Sequence, residues 1–228
     1  MQAFTGTDKI AFKRACKAAI ECAAKDAVRG SVAGVNVQRV GDSLVLISTD
    51  RYRAMRVTIS GTWYDDEEVG DFSMTVTRDV FEDMARQMTA AKIKASGPTY
   101  RLDLDPERNM MSADLGAGTL AFDDCVIRDE FAPVAKLMGD DLDNLPTDPC
   151  VGVAFNPAYL IGLARLVPPG KNHPLTIRFV KRASAVASTW NDGENTRCEH
   201  LLCLVSTPEL REENEAARTP DEGTIAAA

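Results

Sequence analysis

Histidine is nearly missing from this chain: two in 228 residues, His173 after a Pro-Gly turn and His200 within an apparent strand. No Ser, Cys or Asp stands beside either in a recognisable nucleophile setting, so imidazole-driven hydrolysis and group transfer have no evident carriers. There is no Walker loop, no Gly-x-Gly-x-x-Gly and no His-Glu-x-x-His. The six cysteines form no Cys-x-x-Cys pair, and four of them fall in apolar patterns, which fits buried free thiols in a reducing compartment. Cys198-x-His200-x-x-Cys203 makes a poor metal site, because strand alternation puts Cys198 and His200 on one side and Cys203 on the other. No catalytic residue, metal or cofactor is assigned, and the expectation is a protein that is not an enzyme. An apolar run of membrane-spanning length is also missing, and the N-terminus passes straight into Asp8-Lys9-Ile10-Ala11-Phe12-Lys13-Arg14. No membrane partner and no signal peptide are therefore expected, and a cytoplasmic location is.

At 45% hydrophobic and 26% charged, the chain has material for one or two packed cores. Its net charge of −8 is unevenly spread. Between Asp123 and Asp148, eight acidic residues face only Arg128 and Lys136; after Thr207, six face only Arg211 and Arg218. The remainder is slightly basic. Affinity for phosphate is decided by the charge on one face and not by the total, so a nucleic-acid partner stays open. The pairs Asp65-Asp66 and Asp140-Asp141 lack the partners of a metal or glycosidase site and read as solvated loop charge.

Periodicity gives three similar units. The first has Thr7 as N-cap, a helix over 8–25 and strands over 33–39, 43–49 and 54–59, with a Gly41-Asp42 turn between the first two strands. The second has a strand over 72–76, Thr77 as N-cap, a helix over 78–89 and strands over 92–96, 100–104, 110–114 and 118–122. The third has a strand over 151–155, Asn156 as N-cap with Pro157 at the first helical position, a helix to about 167 and strands over 175–180, 184–190 and 200–206. A strand, a helix and several strands, repeated, is an α+β pattern with antiparallel sheets. The division expected is residues 1–124 as a domain of two repeats, an acidic linker over 125–149, a second domain or half domain over 150–207, and a disordered tail over 208–228.

The segment Leu44-Val45-Leu46-Ile47-Ser48-Thr49-Asp50-Arg51-Tyr52-Arg53-Ala54-Met55 resembles the strand, Thr-Asp-x-(His/Tyr)-Arg turn and strand of the middle domain of bacterial sliding clamps, the beta subunit of DNA polymerase III. Phe72 to Met84 is similar to that domain's next strand and helix. Cys125-Val-Ile-Arg-Asp-Glu-Phe131 resembles a degraded interdomain segment, and Val153-Ala-Phe-Asn-Pro-Ala-Tyr-Leu-Ile-Gly-Leu163 the entry to the last half of the final domain. Their order carries the resemblance, which covers most of residues 1–206. It implies the sliding-clamp fold and a processivity factor that encircles duplex DNA without reading its sequence, as a homo-oligomer, ring or dimer. It also implies a hydrophobic cleft that receives a short peptide from a DNA polymerase or another protein bearing the clamp-binding motif. The alternative is a non-enzymatic interaction module or replication regulator on the same fold that does not encircle DNA.

Two candidate surfaces follow. Lys9, Lys13 and Lys17, four residues apart with Arg14 beside them, share one side of the first helix. That row is either the helix's solvated side or, as the resemblance implies, a lining for duplex phosphates that Arg78, Arg86, Arg165 and Lys171 extend. The cleft would use Thr49, Arg53, Ala54, Leu202 and Leu204. Arg51 replaces the family's glycine there and Ala54 its larger leucine, and Leu202 and Leu204 read equally as core residues of an edge strand.

Overall fold

The structure, a computed structural model, describes residues 1–25, 27–65, 72–116, 118–139, 141–144, 154–168, 175–180 and 185–204. Lys171 and the tail 208–228 lie outside them, as does most of the strand expected over 151–155. Thirteen strands and five helices are built from these residues: β1 (Gln2–Gly6), α1 (Lys9–Glu21), β2 (Gly34–Val40), β3 (Ser43–Thr49), β4 (Arg53–Ser60), β5 (Thr62–Asp65), β6 (Ser73–Thr77), α2 (Arg78–Gln87), α3 (Ala90–Ser96), β7 (Tyr100–Asp105), β8 (Met110–Asp114), β9 (Thr119–Asp123), β10 (Val126–Ile127), α4 (Val134–Met138), α5 (Pro157–Leu166), β11 (Thr176–Val180), β12 (Ala185–Asn191) and β13 (Thr196–Cys203).

The strands form two sheets, one in the order β5-β1-β7-β8-β9, the other β10-β6-β2-β3-β4-β13-β12-β11. Every pairing is antiparallel. Units one and two exchange their first strands, since β1 pairs with β7 and β6 with β2. The exchange interlocks the two units into one core. Unit three joins by its last strand, with β13 lying against β4 from Thr196↔Ile59 to Leu202↔Arg53.

Alternation decides which side of the larger sheet each side chain takes. Val35, Val37, Leu44, Leu46, Met55, Val57 and Cys198 face α1 and α2 within the main core, whereas Val45, Ile47, Ala54, Ala187 and Leu201 face away from it into a separate small cluster. Helix α1 commits Ala11, Phe12, Ala15, Cys16, Ala18 and Ala19 to the core, its small residues letting it lie close to the sheet. Phe12 stacks on Tyr100 with ring centroids 4.0 Å apart. The Tyr100 ring also crosses Gly6, where an added Cβ would meet it at 2.2 Å, so a side chain at that position would displace the ring.

Several expected boundaries move. The α1 N-cap is Asp8, not Thr7: its Oδ1 accepts from the amides of Ile10 and Ala11, both at 2.9 Å. The helix ends at Glu21, short of residue 25. The strand expected over 92–96 is helix α3, with the Thr89 side chain accepting from the Lys92 amide at its start. Strands β1 and β5 were not expected. The expected linker is structured where described: Val134, Met138 and Leu142 are buried, on the face of the larger sheet opposite the helices.

Candidate functional site

The helix face of the larger sheet carries α2, α1 and α5, with α1 in contact with both neighbours. An open groove between α1 and α2 is lined by Lys13, Lys17, Ile20, Glu82, Ala85 and Arg86. Lys13 is half-buried and Lys17 exposed. Arg86 is 71% exposed and pairs with Asp83 at 3.2 Å, an exposed pair of little energetic weight. Glu82 is taken up by Arg78, whose Nε donates to it at 2.6 Å. Arg165 is exposed on α5. No acidic side chain among the described residues pairs with Lys13, Lys17 or Arg165.

Three of the expected cations are spent on the fold. Lys9 is 1% exposed, and its Nζ donates to Ser96 Oγ at 2.8 Å and to the Gly97 carbonyl at 2.9 Å, closing the C-terminal end of α3. Burial pushes its ammonium below the usual lysine range, partly countered by Asp114. The reading of Lys9 as part of an exposed row is therefore corrected. Arg14 grips Asp192 through Nε and Nη2, both at 2.5 Å, tying α1 to the β12–β13 hairpin. Arg78 donates to the carbonyls of Ile20 and Ala23, both at 2.8 Å, and so caps the C-terminal end of α1. Neither arginine belongs to an open phosphate-facing row.

The expected cleft residues divide between the two faces of the sheet. Ala54 pairs with Thr49 and Leu201 and turns away from the helices; it is 5% exposed and packs in the cluster that includes Val134, Met138 and Leu142. Arg53 pairs with Leu202, and alternation turns both toward the helices. Leu204 lies beyond β13, half-buried. The five do not line one surface, because β13 pairs with β4 in a register that makes Leu201, and not Leu202, the neighbour of Ala54.

Arg53 is a connector. Its Nη2 donates to the Glu21 carbonyl at 2.8 Å and its Nη1 to Glu21 Oε1 at 3.1 Å, while its guanidinium lies 4.3 Å from the centre of the Tyr159 ring on α5. The β3–β4 turn that presents it is fastened locally. Asp50 Oδ1 accepts from the amides of Tyr52 and Arg53, at 3.0 and 2.8 Å, and Thr49 Oγ1 donates to the Arg53 carbonyl at 2.7 Å. Arg51, standing in place of the glycine, sits at φ 78°, the left-handed region that favours glycine.

Sequence reasoning missed the polar contacts on the opposite face. Arg56 and Glu199, on β4 and β13, pair at 2.5 Å with side chains 10% and 3% exposed. Glu199 also accepts from the Leu142 amide at 3.0 Å, and Arg56 donates to the Gly139 carbonyl. Asp141, expected as solvated loop charge, meets Arg197 at 2.7 Å, as does Asp143. The sequence signal was a charge of opposite sign inside each of two apolar strands, Met55-Arg56-Val57 and Cys198-Glu199-His200.

No family model and no curated protein matches the sequence. Solved structures do match by shape. The DNA polymerase III subunit beta of Borrelia burgdorferi, determined with a natural product, aligns at a TM-score of 0.67 with 12% identity, over 90% of this chain and 63% of that one. The same subunit from Pseudomonas aeruginosa gives 0.66 and 11%, over 90% and 67%. The DNA polymerase sliding clamp of Bacillus subtilis gives 0.66 and 10%, over 90% and 64%. The chain thus spans about two thirds of the length of these proteins, and with its exchanged first strands, antiparallel sheets and helix layer it has the sliding-clamp fold.

Proposed function

We propose that this chain is a non-catalytic processivity factor of sliding-clamp type. Its helix face rests on duplex phosphates, copies of it assemble around DNA, and a polymerase or another partner is tethered by a peptide docked on the opposite face around Ala54 and Leu201. The observation that carries this reading is the convergence of Lys13, Lys17 and Arg86 on the α1–α2 groove, with Arg165 on the neighbouring helix α5. Side chains presented from rigid helices neutralise phosphates without reaching base edges, which suits binding that must slide. The absence of a machinery of nucleophile and base in the sequence agrees with a scaffold.

A second reading, an interaction module that does not encircle DNA, is favoured by the engagement of Lys9, Arg14 and Arg78 in internal contacts. The variant Lys13→Glu/Lys17→Glu/Arg86→Glu/Arg165→Glu separates the two. The parent should be retained on nicked circular duplex, with a log–log salt slope of roughly −3 to −4 for about four phosphate contacts. The variant should fold normally and lose retention. Equal retention of both proteins across the salt series rejects the helix-face assignment. Light scattering that finds only monomer, with and without DNA, rejects encirclement and leaves the second reading.

A further inference from the structure

Among the described residues, the face of the larger sheet turned away from the helices is covered along the β4–β13 seam by α4 with the turn Leu142–Asn144, and by the partly buried Phe131 and Ala132 before them. Val134, Met138 and Leu142, four residues apart, are 7%, 0% and 0% exposed and seat on Val45, Ile47, Ala54, Ala185, Ala187 and Leu201. This cluster is separate from the main core. Two hydrogen bonds from the sheet also hold the segment: Arg56 donates to the Gly139 carbonyl, and Glu199 accepts from the Leu142 amide at 3.0 Å. Helix α4 has five residues and no side-chain N-cap bond. Its acidic end is held at the sheet by Arg197, at 2.7 Å from both Asp141 and Asp143, and by Arg178, at 3.5 Å from Asp143. Thr189 Oγ1 adds a hydrogen bond to Asp143 of 3.0 Å. These ion-paired side chains are 29% to 37% exposed, open to water and to screening.

Release of the segment breaks the bonds to Gly139 and Leu142 but leaves the charges of Arg56 and Glu199 paired. Arg56 and Glu199 satisfy each other through two hydrogen bonds, of 2.5 and 2.9 Å. Lifting the segment would uncover an apolar strip of Val45, Ile47, Ala54, Ala187 and Leu201, flanked by Arg178 and Arg197. We propose that α4 with Leu142–Asn144 is a displaceable strap, and that the strip beneath it docks a peptide of the strap's own chemistry: apolar anchors four residues apart and a pair of acidic side chains at one end. The strap then competes with any partner, whose apparent affinity falls by the fraction of molecules with the strap open. The use of the strip for tethering rests on the function proposed above; the strap's competition for it does not.

The test compares the parent with Asp141→Asn/Asp143→Asn. Hydrogen exchange at the amides of α4 and Leu142 should quicken about tenfold in the variant while β3, β4, β12 and β13 keep their protection. A strap that exchanges only together with the sheet in both proteins is a fixed part of the fold, and the proposal fails. A fluorescent peptide with the sequence of residues 131–144 should bind the variant about tenfold more tightly than the parent, and Arg197→Glu added to the variant should abolish binding. Equal binding to parent and variant, or binding to neither, overturns the docking strip. A Gln-Leu-x-Leu-Phe peptide titrated beside it reads the tethering proposal alone: the strap peptide binding while that one does not leaves the strap in place and removes the clamp-type partner.

Discussion

The two faces of the larger sheet meet the same seam, β4 against β13, with opposite means. On the helix side, Met55, Val57 and Cys198 continue a core that runs under α1 and α2 and reaches the smaller sheet. On the other side a small, separate apolar cluster is supplemented by Arg56, Glu199, Arg197, Asp141 and Asp143. The difference follows from what each face has to cover it. Helices supply a broad apolar stripe, whereas one five-residue helix and a turn cannot, so charged side chains close the remainder. The helix side is stabilised chiefly by burial, with the ion pairs Arg14–Asp192 and Arg53–Glu21 beside the core. The strap side combines a buried ion pair with exposed ones, two kinds of contact that differ greatly in energy.

The largest effect is expected at the buried pair. Glu199→Ala removes the carboxylate that neutralises the buried Arg56 guanidinium and the acceptor of the Leu142 amide. A loss of about 3–5 kcal/mol is expected from urea unfolding, the usual cost of breaking rather than replacing a buried pair. The double variant Arg56→Met/Glu199→Leu should recover most of it. If Glu199→Ala costs under about 1 kcal/mol, water reaches the pair and the contrast between the faces is smaller than drawn.

Much of this was legible in the sequence. The order of units, α1, α2, α5 and most strands follow from alternation and helical period, and the lysine spacing gives the α1–α2 groove two of its cations. What was not legible has physical reasons. Lys92-Ile93-Lys94 alternates like a strand, yet Thr89 at the cap and Ala90, Ala91 and Ala95 were the stronger signal, with Gly97 after the helix end. The burial of Lys9 depends on where the α3 terminus lands, which no local pattern encodes. The division of the cleft residues came from a strand start: β13 begins at Thr196 and not at residue 200, and the resulting pairing with β4 sets Leu201 beside Ala54. Hydrophobic pattern alone left that register open, because His200, Leu201 and Leu202 are all buried.

The helix side of the seam has its own titratable group. His200 pairs across the seam with Met55, is 2% exposed, and its Nδ1 meets no hydrogen-bond partner among the described residues. Burial, aided by Arg53, lowers its pKa from 6.5 to about 4. The unfolded chain therefore binds this proton first. The stability contributed by keeping the imidazole neutral is complete above pH 6.5 and is lost as pH falls from about 6.5 to 4. The full difference is roughly 3 kcal/mol. Urea unfolding at pH 7, 5.5 and 4.5 should show the decline in the parent, and His200→Gln should flatten it. Equal slopes in parent and variant would show that the seam admits water or a proton there.

The smallest expected effect lies at the strap's edge and falls in a different pH window. Arg197 holds the Asp143 carboxyl below its usual 3.8, with Thr189 and Arg178 assisting against desolvation. For a lowered carboxylate the contribution is complete above the unfolded value and fades as pH drops through the folded one, so it persists at pH 5 and is lost only below about 4. Asp143→Asn should therefore cost at most about 1 kcal/mol at pH 7. The gap between parent and variant should narrow below pH 4 and also in 1 M salt, where exposed pairs are screened. The His200→Gln comparison should keep its size in the same salt. Two faces of one seam would then be told apart by pH and by ionic strength independently. A salt response at His200 equal to that at Asp143 would mean that both faces are equally open to solvent, and would remove the physical basis for treating the strap as the part that lifts.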